Sequence, residues 1–78
     1  MKTTKYFRAT RGRPDRARIK DEWIQYVVQH PEREHVQADG RIRRWARIEA
    51  MEGRYLRVIL LDDGETIHNA FFDRGFRP

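Results

Sequence analysis

The sequence predicts an α+β fold: one main helix packed on a four-stranded antiparallel meander, with an extra short strand at the N-terminus as an option. Three observations carry it. Ile19, Trp23, Tyr26 and Val27 recur at helical spacing within "IKDEWIQYVVQHPE" (19–32). Four later stretches alternate or read as β-rich. Two Asp-Gly pairs, Asp39-Gly40 and Asp63-Gly64, sit where hairpin turns belong.

In chain order, "TTKYFRAT" (3–10) alternates weakly and reads as the optional strand, and Gly12 and Pro14 end it. Asp15 is placed to cap a single turn over 16–18. Asp21 and Glu22 fall in the first turn of the main helix, where the helix dipole favours acids. Pro31 stops that helix near His30. The strands are expected at 35–38, 41–49, 54–62 and 65–73. At 78 residues the chain makes a single domain, 1–78, opening on a basic segment, 1–14. The core of so small a domain is modest.

Net charge is +5, from 17 Lys+Arg and 12 Asp+Glu. Residues 1–20 carry eight bases and one acid, and Arg outnumbers Lys 14 to 3 overall. Arg grips phosphate with a planar fork and stacks on bases, so RNA or an acidic protein is the expected partner. A solvated charged surface is the alternative. No cysteine is present, which excludes disulfides and thiolate metal sites. No apolar run approaches a membrane span and no signal-peptide pattern opens the chain, so a cytoplasmic protein without membrane association is expected. No phosphate loop occurs, and His30, His35 and His68 show no metal-ligand spacing. Neither a cofactor nor a metal is predicted.

Strand alternation divides the side chains into two lists. Ile42, Ala46, Ile48, Leu56, Val58, Leu60, Ile67 and Phe71 form the expected core face beneath the helix. Arg41, Arg43, Trp45, Arg47, Tyr55, Arg57, His68, Phe72 and Arg74 gather on the other. Cations interleaved with aromatics suit single-stranded RNA, and Arg41, Arg43, Trp45, Arg47 and Tyr55 are the expected nucleic-acid contacts. Trp45 is either a stacking platform or edge packing; Trp23 belongs to the core. In this register Asn69 shares a face with the core and demands buried hydrogen-bond partners.

With "RARIKDEWIQYVVQHPE", "DGRIRRW" and "YLRVILLDDGETIHNAFFDRGF" in view, nearly the whole chain resembles the RelE/ParE superfamily of small bacterial toxin-like proteins, and within it the BrnT-like branch. The resemblance implies a RelE-like sheet with helices on one face. It implies a component of a toxin-antitoxin system, often a metal-independent endoribonuclease, neutralised by a small acidic antitoxin. The early histidine of that branch is absent; Ala9 and Thr10 stand near its place. Metal-free cleavage needs an acid or base and a cation for the phosphate. His68 is the candidate for the first role, with Arg57 and Arg74 as phosphate clamps; the three form the candidate catalytic set. The alternative for His68 is a structural hydrogen bond to Asp73 or Thr66. A non-catalytic nucleic-acid-binding or protein-interaction module is the alternative for the whole chain.

Overall fold

The two Asp-Gly turns fold the second half of the chain into a meander. The computed structural model describes residues 1–78. Strands β1 (Arg33–Val36), β2 (Ile42–Ile48), β3 (Arg54–Leu60) and β4 (Ile67–Phe72) pair antiparallel in the order β1-β2-β3-β4. The fold is α+β, as the sequence predicts.

The turns are looser than two-residue hairpins. The Gln37 amide donates to Arg41 O at 2.8 Å and the Leu61 amide to Thr66 O at 2.9 Å, leaving residues 38–40 and 62–65 as loops. Within these two turns only the glycines take positive φ, 92° at Gly40 and 70° at Gly64. The aspartates act through their side chains instead. Asp39 accepts from the Arg41 amide and Asp63 from the amides of Glu65 and Thr66, the local bonding that makes Asp a turn residue. The first strand starts at Arg33, earlier than expected, because the Glu32 amide already bonds Trp45 O at 2.8 Å. All four residues of β1 are exposed.

Three helices precede the sheet: α1 (Lys5–Thr10), α2 (Pro14–Ala17) and α3 (Asp21–Gln29). The optional N-terminal strand shrinks to one parallel bridge, Thr3 to Ile67. Helix wins over the rest of that stretch because Thr4 Oγ1 caps it, accepting from the Phe7 amide at 3.1 Å, and Phe7 enters the core. Pro14 takes the first position of α2, where its missing N–H costs nothing. Asp15 therefore lies inside that helix rather than capping a turn over 16–18. α3 ends at His30, before Pro31. Its buried stripe is Ile24 and Val27, flanked by Trp23 and Val28. Tyr26, expected on the stripe, is 48% exposed. No helix is long and apolar enough to cross a membrane.

The core closes between the helices and one sheet face. Ala46, Ile48, Leu56, Val58, Leu60 and Ile67 are buried there with Phe7, Ile19, Ile24 and Val27, and Ile42 packs at the margin. The fourth strand departs from the expected alternation. Leu60 pairs with Ile67 but Ile59 pairs with Asn69, so the register shifts and His68 is the extra residue of a bulge. Every side chain beyond it changes face. Ala70 and Phe72 take the core side, with Phe72 edge-on to Trp23 at 6.3 Å. Phe71, expected in the core, moves to the opposite face beside Arg57, and Phe72 makes the reverse move. Asn69 is thereby relieved of burial in an apolar core.

Candidate nucleic-acid interface

Register builds a row across the open face. Arg33 stands opposite Trp45, Trp45 opposite Arg57, and Arg57 opposite Phe71. The Arg57 guanidinium lies 5.4 Å from the Trp45 ring centre and 5.0 Å from that of Phe71. Arg16, reaching over from α2, covers Phe71 at 5.2 Å and donates to Asn69 Oδ1 at 2.8 Å. Cation and aromatic alternate along this row, and each such contact adds about 0.5–2 kcal/mol depending on exposure.

The chain uses much of this row on itself. Asp73 follows β4 and is held there by its amide, which donates to Tyr55 O at 2.9 Å. Its Oδ2 accepts from Trp45 Nε1 at 3.0 Å and from Arg57 Nε and Nη2 at 3.0 and 2.7 Å, while Oδ1 accepts from the Gly75 amide at 3.1 Å. Burial alone pushes this carboxyl up. The Trp45 indole, the Arg57 guanidinium and the Gly75 amide together outweigh burial and hold it below the ordinary carboxylate range. Arg57 is thus neutralised rather than free to clamp a phosphate. The tail then turns back and lays Phe76 flat on Trp45, centroids 4.9 Å apart and planes at 17°. Trp45 is only 6% exposed, so it is no open platform.

His68 occupies a different place. The bulge turns it toward the N-terminal segment, where Nδ1 lies 3.1 Å from Thr4 Oγ1 and the ring stacks on Tyr6 at 4.9 Å. Because Thr4 Oγ1 already accepts from Phe7, its own proton is free for His68 Nδ1, which suits a neutral imidazole. Burial, helped by the Arg41 charge, pushes the His68 pKa down, against a smaller opposing pull from Asp39. His68 and Phe71 are separated by three strand positions, roughly 10 Å of chain, and Phe71 is the residue that faces Arg57. Arg74 is exposed in the turn after Asp73. His68, Arg57 and Arg74 are therefore not one cluster. The structural bond anticipated for His68 exists, but to Thr4 rather than to Asp73 or Thr66.

The other expected contacts are also engaged. Arg43 Nε donates to Gln37 Oε1 at 2.8 Å, Arg41 lies 3.8 Å from Asp39, and Arg47 pairs with Glu49 at 3.0 Å. Tyr55 is half-buried against Phe76, centroids 5.0 Å apart. The uncommitted cations lie elsewhere. An open groove of about 1000 Å³ runs between α2, the end of β4 and the tail. Arg16, Arg18, Arg54, Arg74 and Arg77 line it, and of these only Arg16 has a carboxylate partner, Asp15. Its aromatic walls are Tyr55, Phe71, Phe72 and Phe76. Arg18 and Arg54 gave no sequence signal, because an isolated Arg reveals its setting only when remote segments meet. No three His, Asp or Glu side chains gather into a metal-binding cluster. Comparison with family models, with curated proteins and with solved structures gives no match to this chain.

Proposed function

We propose that this chain is a non-catalytic RNA-binding module whose contact surface is the arginine-lined groove beside the tail. The observation that carries this reading is the coincidence of four unpaired arginines, Arg18, Arg54, Arg74 and Arg77, with aromatic walls in one open groove. Unpaired guanidinium groups supply contacts to the phosphate backbone, and half-buried rings along the walls offer edges and partial faces to unpaired bases. That combination favours single strands over duplex, whose bases are stacked away from such walls. The competing proposal, the toxin-like endoribonuclease implied by the RelE/ParE resemblance, needs an acid or base beside free phosphate clamps. Here Arg57 is bound by Asp73 and His68 is turned toward Thr4.

Titration of a fluorescein-labelled oligouridine by anisotropy tests the reading. Binding through four phosphates weakens by roughly fifty-fold between about 50 and 200 mM salt. The double variant Arg54→Glu, Arg77→Glu is expected to bind at least about ten-fold more weakly, from the lost contacts and the new repulsion. Salt-independent binding, or unchanged affinity in that variant, removes the groove from consideration. The same samples run on a denaturing gel separate the two proposals: intact RNA supports the module, and fragments produced by the wild type support the endoribonuclease.

A further inference from the structure

We propose that Phe76 is a displaceable placeholder in a nucleobase-stacking slot formed by Trp45, Tyr55 and Arg33, and that single-stranded RNA is the ligand that takes its place. This rests on the RNA-binding reading of the adjacent groove and extends it across the sheet.

Phe76 sits outside the hydrophobic core, on the opposite side of the sheet. Trp45 stacks nearly parallel beneath it, Tyr55 flanks it, and the Arg33 guanidinium lies 5.9 Å from its centroid. Flat rings plus a guanidinium are the parts with which proteins stack unpaired bases. Arg33 has no ion-pair partner to hold it in this position.

The slot itself is fixed while its occupant is not. Asp73 pins Trp45 through the indole N–H at 3.0 Å and stays attached to β3 through its amide. Beyond Asp73 the tail is tied only by the Gly75 amide to Asp73 Oδ1 and by a long Phe76 amide contact, 3.4 Å, to Asp73 O. Lifting Phe76 therefore breaks one long hydrogen bond and the ring contacts with Trp45, Tyr55 and Arg33, and leaves Trp45 in place. Tyr55 and Phe76 also wall the groove, so the uncovered slot continues it toward Arg33. A strand lying in the groove then finds a further base site at its end, with Arg33 beside it for a phosphate.

The test is Phe76→Ala, with labelled oligouridine as probe and a thermal melt to show that the fold persists. Affinity is expected to rise about ten-fold, the factor forfeited by a slot that is open about a tenth of the time. An independent reading comes from the wild type. The chain has two tryptophans, so the indole N–H of Trp45 is readily assigned by NMR, and oligouridine should shift it as a base replaces Phe76. Binding by the wild type with unchanged or weaker affinity in Phe76→Ala, and an unmoved Trp45 signal, overturns the placeholder and leaves the groove reading intact. If Phe76→Ala does not fold, the wild-type Trp45 signal alone decides. Absence of binding by both proteins overturns the groove reading and the placeholder together.

Discussion

The two ends of β4 are closed by different chemistry. At its start, His68 is held by a neutral bond to Thr4 and a ring contact with Tyr6. At its finish, Asp73 is held by an indole N–H, a guanidinium fork and a backbone amide. His68 ties the N-terminal segment to the sheet without using charge. The second end concentrates charge where the chain reverses. Polar residues in one strand thus serve as a latch at one end and a keystone at the other, and neither needs to be a catalyst.

The larger loss falls at Asp73. Replacing it by Ala strands the Arg57 charge and the Trp45 N–H in partly buried positions, a loss of about 3 kcal/mol and a fall in Tm of roughly 15 °C for a domain of this size. Asp73→Asn keeps an acceptor and is expected to lose less. A melt of Asp73→Ala within a degree or two of wild type would show that the clamp is ornamental. At the other end Thr4→Ala removes a helix cap and the His68 partner together, a cost of about 1 kcal/mol by denaturant unfolding; Thr4→Ser, which keeps the hydroxyl, should recover most of it. Equal losses in the two variants would mean that the methyl group matters rather than the cap.

The smallest expected effect is on pH dependence. His68 has a folded pKa below its ordinary 6.5. The unfolded chain therefore binds more protons than the folded one as pH falls below about 6.5, and stability declines with acidification through the folded value. Denaturant midpoints measured from about pH 7.5 to 5 should fall for wild type and flatten for His68→Gln; parallel curves would remove His68 as the source. Asp73 is silent across this window. Its stabilisation is complete above the unfolded carboxylate value, 3.8, and is lost only as pH drops through its lower folded pKa.

The architecture was legible because its signals are local and repeated. Helical spacing located α3, and Asp39-Gly40 and Asp63-Gly64 located the hairpins even though their detailed geometry differs. What was hidden is one inserted residue. In "IHNAFF" both parities carry apolar side chains, Ile67 with Phe71 or Ala70 with Phe72, so periodicity cannot choose between them. Asn69 was the clue: a carboxamide assigned to the core without partners argues for a bulge before it. The structure gives it Arg16 instead. The groove was invisible for another reason, since Arg16, Arg54 and Arg77 lie far apart in sequence and meet only once the chain folds.

The sheet's two margins differ in what they leave available. On the β4 side Lys2 and Thr4 bond to both backbone groups of Ile67, and α1 and α2 pack alongside. On the β1 side all four residues are uncovered. The sheet therefore has one uncovered edge rather than two. The open edge is that of β1, while the β4 margin is bonded at Ile67 and flanked by helices. Growth into an indefinite ribbon, the hazard of any uncovered strand, is closed off by where the N-terminal segment lies.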